Sequence, residues 1–148
     1  MADPKETLQA ALKEAMINKN NLHRDVIRGL LSAVKQVEID SQKTVAGDDV
    51  IAIIQKEAKK RRESIDEAVK VGRSEIADAE KLELAIIEGF LPAQLSREQV
   101  ATIVQETIAQ TGVTSAKEIG KLMGALMPKV KGLADGKLVN EVVRELLK

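Results

Sequence analysis

Few residues of this chain have side chains suited to catalysis. His23 is the only histidine among the 148 residues, and there is no cysteine. A catalytic dyad or a metal site built on this imidazole would need carboxylates from distant parts of the chain, and no motif spacing in the sequence indicates such a site. A histidine at the surface or near a helix start is the simpler interpretation. No Gly-x-Ser-x-Gly, phosphate-loop or dinucleotide fingerprint occurs. We therefore predict no catalytic residue, no metal and no cofactor.

Two glycines four residues apart form the most distinctive pattern. The segment Gly120-Lys121-Leu122-Met123-Gly124 has the character of a helix, although each glycine costs about 1 kcal/mol of helix propensity relative to alanine. Residues four apart share one helix face, so another group is expected to come close to that backbone. A packed helix is one candidate, and a nucleic-acid backbone or a partner protein is the other.

Lysines surround these glycines and make the segment a candidate anion-binding surface. Residues 113–132 carry four lysines and one glutamate, a net charge of +3. The chain has no Trp and no Tyr, and single-stranded bases are usually held by aromatic stacking, so a folded RNA such as tRNA fits better than a loose strand. The candidate RNA-binding residues are Lys117, Gly120, Lys121, Gly124, Lys129 and Lys131.

A second basic stretch lies earlier in the chain. Glu63, Asp66 and Glu67 project into the same helix sector, which favours a solvated face with charge pairs three and four residues apart over a phosphate-binding face. The residues of this secondary basic face are Lys56, Lys59, Lys60 and Arg62.

Three further polar residues are expected to be structural. Arg61 falls on an apolar helix stripe, where a guanidinium usually meets a carboxylate, and Glu80 or Glu83 on the next helix are the candidates. Arg73 and Glu80 are seven residues apart and are expected to pin the corner between the third and fourth helices rather than to catalyse a reaction.

Composition favours an all-α protein without bulk affinity for nucleic acid. Ala, Glu, Lys and Leu dominate, and 23 basic residues balance 23 acidic ones. The first residues alternate in charge without a long apolar run, so neither a signal peptide nor a membrane-spanning helix is predicted. On that basis we expect a cytoplasmic protein with no membrane partner.

Capping signals divide the chain into two helical parts. Asp3 with Pro4 starts the first helix, and the residues before Pro92 end the fourth. We predict an N-terminal four-helix domain over residues 1–92 and a three-helix tail over residues 95–148. Ser96 and Ser115 each begin a capping box for a tail helix, and Pro128 is expected to disturb the second of these.

With these motifs in view, the chain resembles the YqeY proteins, which share their tail with the B subunit of glutamine-dependent aminoacyl-tRNA amidotransferases. The resemblance implies the same division into four helices and a three-helix tail. It also implies a tail that, in the amidotransferase, helps hold the tRNA body while another domain, which we do not find in this sequence, does the chemistry. It runs essentially the whole chain and is carried by residues 59–65 (KKRRESI), Gly72-Arg73, Glu80, Phe90-Leu91-Pro92, Gln94-Leu95, Gly120-Lys121-x-Met123-Gly124 and residues 132–136 (GLADG).

Three functions follow for testing. The first is an accessory module that binds tRNA or another folded RNA through its tail. The second is a protein-interaction module of the translation machinery, with an amidotransferase or a synthetase as partner. The third is a carbon–nitrogen ligase that uses glutamine as amide donor, which the family relation raises although the catalytic domain is absent.

Overall fold

The computed structural model describes residues 3–147, and every regular element in that range is helical. The all-α class predicted from composition is therefore confirmed. In chain order the helices are α1 (Pro4–Ile17), α2 (Asn21–Ser41), α3 (Asp48–Lys70), α4 (Ser74–Glu88), α5 (Arg97–Thr111), α6 (Ile119–Val130) and α7 (Gly136–Leu146), with a 3₁₀ turn at Ala116–Glu118 directly before α6.

Several helix ends follow directly from local chemistry. The Asp3 carboxylate accepts a hydrogen bond of 2.8 Å from the Lys5 amide, and Pro4 occupies the first helical position of α1, where its missing N–H costs nothing. The predicted capping box of α5 is present, since Ser96 and Gln99 accept hydrogen bonds from each other's backbone amides. These contacts fix where α1 and α5 begin.

One expectation about α6 is wrong. The Ser115 side chain makes no capping hydrogen bond, and a 3₁₀ turn precedes an α-helix that begins only at Ile119. The disturbance expected at Pro128 amounts to one missing hydrogen bond, because Pro128 lies inside α6 without ending it. A proline near the end of a helix removes one donor but can keep helical torsions, so the Gly124 carbonyl receives no amide hydrogen from Pro128 and the helix continues to Val130.

The chain divides after Leu91 into two compact units, residues 1–91 and 92–148. We call them the first unit and the tail unit. The core of the first unit comes from α1, α2, the first half of α3 and the end of α4, and its fully buried side chains include Leu8, Ile27, Val34, Val50 and Ile54. The core of the tail unit comes from α5, α6 and α7 and includes Val100, Val104, Leu122, Leu126 and Val139.

The far half of the α3–α4 hairpin has a small apolar cluster of its own. Its buried residues, Ile65, Ala68 and Ala77, all belong to α3 and α4. Helical spacing in the sequence predicts an inward stripe of Ala79, Leu82, Ile86 and Phe90 on α4. Ile86 and Phe90 do pack against the core of the first unit, but Ala79 and Leu82 are exposed, Leu82 by 61%. The helix is rotated so that Ala77 and the residues in phase with it meet α3 instead.

The segment before α5 already belongs to the tail unit. Gln94 Nε2 donates to the carbonyl of Gly132 at 3.0 Å, and the Leu95 amide donates to the carbonyl of Leu133 at 2.8 Å. The Leu95 side chain packs against the tail core. The loop between α6 and α7 is thereby held to the start of the tail unit.

Candidate functional site

The solvent-facing side of α6 carries the two glycines singled out in the sequence. Leu122, Leu126 and Val130 are buried and hold the opposite side of the helix against the tail core. Gly120 and Gly124 are exposed, and a Cβ placed on either would meet no other atom within 4 Å. No helix of the tail unit therefore packs on these glycines within residues 92–147. We call this surface the glycine face.

Three of the four predicted lysines are exposed around the glycine face. Lys117 lies on the 3₁₀ turn, Lys121 on α6 and Lys131 just past its end. None of the three side chains forms an ion pair or a hydrogen bond with any residue that the structure describes. The successive 100° rotation of a helix places Lys121 beside the glycines. Their ammonium groups are available to an anion.

Lys129, the fourth predicted lysine, does not join this set. Its Nζ donates to Thr107 Oγ1 at 3.0 Å and to Gln110 Oε1 at 2.7 Å, both on α5. At 100° per residue, Lys129 lies half a turn from Gly120, on the flank that meets α5. The structure therefore gives this lysine a role in joining two helices.

Glu118 is the one acid among these lysines, and its carboxylate is engaged nearby. It accepts hydrogen bonds from the Thr114 hydroxyl at 3.3 Å and the Thr114 amide at 3.5 Å. The acid is thus drawn toward the loop that precedes the 3₁₀ turn. The net charge of the glycine face remains positive.

The secondary basic face on α3 has the mixed charge expected of a solvated helix. Lys56 and Lys60 are exposed, and Lys59 and Arg62 are half-buried. Lys60 pairs with Glu57 at 3.3 Å, three residues earlier. Because the acids of α3 alternate with these cations, the face presents no sustained positive field.

Arg61 lies between the two glutamates that the sequence analysis proposed as its partners. Its Nη1 is 2.9 Å from a Glu83 carboxylate oxygen and 3.7 Å from one of Glu80. The Ser64 hydroxyl donates to Glu80 Oε1 at 2.7 Å, while the buried Glu80 Oε2 has no hydrogen-bond partner among the described residues. The predicted Arg61 partnership is confirmed, and it joins α3 to α4 beside their common core.

Arg73 reaches the α3–α4 corner through its backbone. Its amide donates to the Ala68 carbonyl at 2.8 Å, and its carbonyl accepts from the Ala77 amide at 3.1 Å. Within residues 3–147 no hydrogen bond or ion pair joins its side chain to Glu80. Arg73 is exposed, and its side chain has no ion pair or hydrogen bond with any residue from 3 to 147.

Two polar clusters have no counterpart in the sequence analysis. Glu38 accepts from the Lys5 ammonium at 2.9 Å and from the Val45 amide at 3.1 Å, and these two hydrogen bonds lower the pKa of its carboxyl. Arg97 on α5 pairs with Glu141 at 3.2 Å and also with Glu145, which raises the pKa of its guanidinium. Lys5 and Glu38 are 33 residues apart, so no local periodicity could have indicated the pair.

Neither a metal site nor a membrane span is found in the part of the chain that the structure describes. No group of three His, Cys, Asp or Glu residues is placed to hold an ion there. None of the described helices is long and apolar enough to cross a membrane. His23 is exposed near the start of α2, where the Asn20 side chain accepts from its backbone amide at 3.2 Å.

Comparison with known proteins establishes the relationship that the motifs indicated. The family model described as Yqey-like protein matches residues 5–147. The chain belongs to this family. Among its curated relatives is "Altered inheritance of mitochondria protein 41, mitochondrial" of Lachancea thermotolerans, which is 38% identical over 60% of this chain and 48% of its own length. The protein of the same name from Eremothecium gossypii is 33% identical over 83% of this chain and 65% of its own.

A third relative of this Yqey-like chain belongs to a tRNA amidotransferase. The E subunit of glutamyl-tRNA(Gln) amidotransferase from Methanocaldococcus jannaschii is 39% identical over 62% of this chain but only 15% of its own length. The residues of the tail unit, 92–148, make up less than two fifths of the chain. The similarity therefore reaches into the first unit and is not confined to the tail that the sequence resemblance emphasised.

The expectation of a cytoplasmic protein is wrong. The relatives of this Yqey-like chain in several yeasts and other fungi are named as mitochondrial proteins. The chain spans about half to two thirds of the length of the first of these relatives. The expectation rested on the absence of an apolar run in the first residues. Such a run marks only secretion or a membrane span, so its absence does not indicate the cytoplasm.

Proposed function

We propose that this Yqey-like chain is an accessory RNA-binding protein whose glycine face docks on the backbone of tRNA or another folded RNA. The observation that carries the proposal is the open surface at Gly120 and Gly124 beside unpaired lysines. On an exposed helix, two glycines cost about 2 kcal/mol of propensity together relative to alanine. A partner that approaches the helix backbone closely accounts for that cost.

The charges around the glycine face suit a phosphate backbone. Lys117, Lys121 and Lys131 are exposed and have no partner among residues 3–147. Lysine ammonium groups bind phosphates as point charges without reading sequence.

The relative from Methanocaldococcus jannaschii supports tRNA as the first RNA to test. Its name assigns it to an amidotransferase that acts on glutamyl-tRNA. We carry over from it a docking surface and no reaction. Binding to the amidotransferase itself is the alternative that the same relationship favours, with protein contacts in place of RNA contacts.

Binding of a fluorescent tRNA transcript, measured by anisotropy at several salt concentrations, tests the proposal. The double variant Lys117→Ala/Lys121→Ala is expected to weaken binding about tenfold at low salt and to reduce the salt slope by about one for each phosphate that is no longer neutralised. The matched control is Lys13→Ala/Lys43→Ala, which removes from the first unit two exposed lysines that form no ion pair with any residue the structure describes.

Equal binding by both double variants would exclude the glycine face as the RNA site. A nuclease-treated pull-down that still recovers an amidotransferase protein, together with no tRNA binding by the unmodified chain, would favour the protein-interaction alternative. Hydrolysis of glutamine by the purified chain would instead revive the ligase hypothesis.

A further inference from the structure

The corner between α3 and α4 has an apolar groove that the proposed RNA site does not use. The groove has a volume of about 590 Å³, and its apolar lining includes Ala68, Val71 and Ile76. Val71 is 69% exposed and Ile76 46% exposed. Exposing large aliphatic side chains to water to this extent costs free energy, and contiguous exposed apolar surface is typical of a binding site.

Two cations without partners flank the groove. Lys70 and Arg73 line it and are exposed, and within residues 3–147 neither side chain has an ion pair or a hydrogen bond. Glu67 is the one acid in the lining. The groove therefore combines an aliphatic floor with a positive rim.

The corner is held in shape by its own backbone. Gly72 has a φ of +74°, and the Arg73 amide closes the turn on the Ala68 carbonyl at 2.8 Å. The buried residues beneath the groove, Ala68 and Ala77 among them, come from α3 and α4 alone. A partner therefore meets a preformed surface, which lowers the ordering cost of binding.

We propose that this corner is a docking surface for a protein partner that presents an acidic amphipathic helix. An aliphatic side chain of that helix enters the groove at Val71 and Ile76, and its carboxylates meet Lys70 and Arg73. The aliphatic floor favours a protein over RNA, because RNA offers no aliphatic group and its bases bind best to aromatic rings, of which the groove has none. The surface lies in the first unit, so its test is independent of the proposed RNA site.

Nuclear magnetic resonance titration of the isotope-labelled full chain with two designed peptides tests this. One 14-residue helical peptide carries leucines at i, i+3 and i+4 spacing flanked by glutamates, and its twin carries lysines in place of the glutamates. The acidic peptide is expected to shift the amide signals of residues 67–76 and to bind about fivefold more tightly than its twin, because two exposed ion pairs form in place of two repulsions.

The charge-reversed variant Lys70→Glu/Arg73→Glu should invert the preference between the twins, a result that unfolding could not produce. Ile76→Ser should weaken the acidic peptide, whereas Leu82→Ser, at an exposed leucine outside the groove, should not. Equal binding of the twins, signal changes elsewhere, no binding at millimolar peptide, or equal effects of the two serine variants would each overturn the proposal.

Discussion

Lys129 donates a hydrogen bond of 3.0 Å to the hydroxyl of Thr107, a side chain that is completely buried. The same hydroxyl donates to the Ile103 carbonyl at 2.7 Å. The ammonium thus satisfies a buried acceptor on α5 from a position on α6. The sequence grouped Lys129 with the RNA-binding residues. In the structure, this lysine is part of the packing between α5 and α6.

Lys129→Ala should therefore affect stability more than RNA binding. Losing a hydrogen bond from a charged donor to a buried oxygen is expected to lower the free energy of unfolding of the tail unit by about 1 kcal/mol. Urea denaturation followed by circular dichroism measures this. Lys121→Ala serves as the control, with a change below about 0.5 kcal/mol because its side chain is exposed and unpaired among the described residues. The reverse order of effects would contradict the assignment.

Gly120→Ala and Gly124→Ala should stabilise the protein while weakening its binding to RNA. The added methyl groups meet no atom within 4 Å, and each alanine contributes up to about 1 kcal/mol of helix propensity. On the proposed RNA face, however, the same methyl groups would hold a phosphate backbone away from the helix. Thermal melts and tRNA anisotropy measure the two effects.

The matched control for these glycine variants is Gly29→Ala on α2, whose added methyl group also meets no atom within 4 Å. It should raise stability by a similar amount and leave RNA binding unchanged. If all three alanine variants bind tRNA as tightly as the unmodified chain, close approach at α6 is excluded.

Arg61→Met should destabilise the first unit, because it leaves Glu83 and the largely buried Glu80 without their cation. Breaking a half-buried network of this kind is expected to cost about 2 kcal/mol of unfolding free energy. A double-mutant cycle with Glu83→Gln measures the coupling. Additive effects of the two single variants would show that the 2.9 Å contact between them contributes no stability of its own.

The carboxyl of Glu38 should make the first unit sensitive to acid. The hydrogen bonds from Lys5 and Val45 lower its pKa in the folded state. A group with a lowered folded pKa contributes stability above its unfolded pKa and loses it as the pH falls through the folded value. The melting temperature should therefore drop on acidification below about pH 4.5, and Glu38→Gln should reduce the size of that drop. The measurement is the melting temperature of the unmodified chain and of Glu38→Gln as a function of pH. Identical curves for the two proteins would contradict a stabilising role for the Lys5–Glu38 contact.

Much of the fold could be predicted because helix signals are local. The caps at Asp3 and Ser96 and the glycine after α5 lie within a few residues of the ends they fix. The rotation of α4 could not be predicted in this way, since Leu82 and Ala77 belong to competing stripes and only the packing with α3 selects between them. The same limit applies to Lys129, whose direction depends on the position of α5.

The sequence predicted which residues form the candidate site but not how the folded chain arranges them. The sequence indicated glycines near lysines, because both occur within residues 117–131. It could not indicate that the glycines are open to solvent, because glycines packed against a neighbouring helix would show the same spacing. Charge partners such as Lys5 and Glu38 are separated by whole helices and become visible only in the folded chain.

The paired hydrogen bonds of Gln94 and Leu95 with the loop between α6 and α7 have a consequence for where this chain tolerates added residues. A flexible spacer placed between Leu91 and Pro92 leaves both bonds intact. The same spacer placed between Gln94 and Leu95 separates two adjacent anchors that hold neighbouring carbonyls, Gly132 and Leu133, so both bonds persist only if the spacer closes into a loop, at a cost in chain entropy. Insertions are therefore expected to lower the stability of the tail unit already at Gln94 and Leu95, before its first helix begins at Arg97.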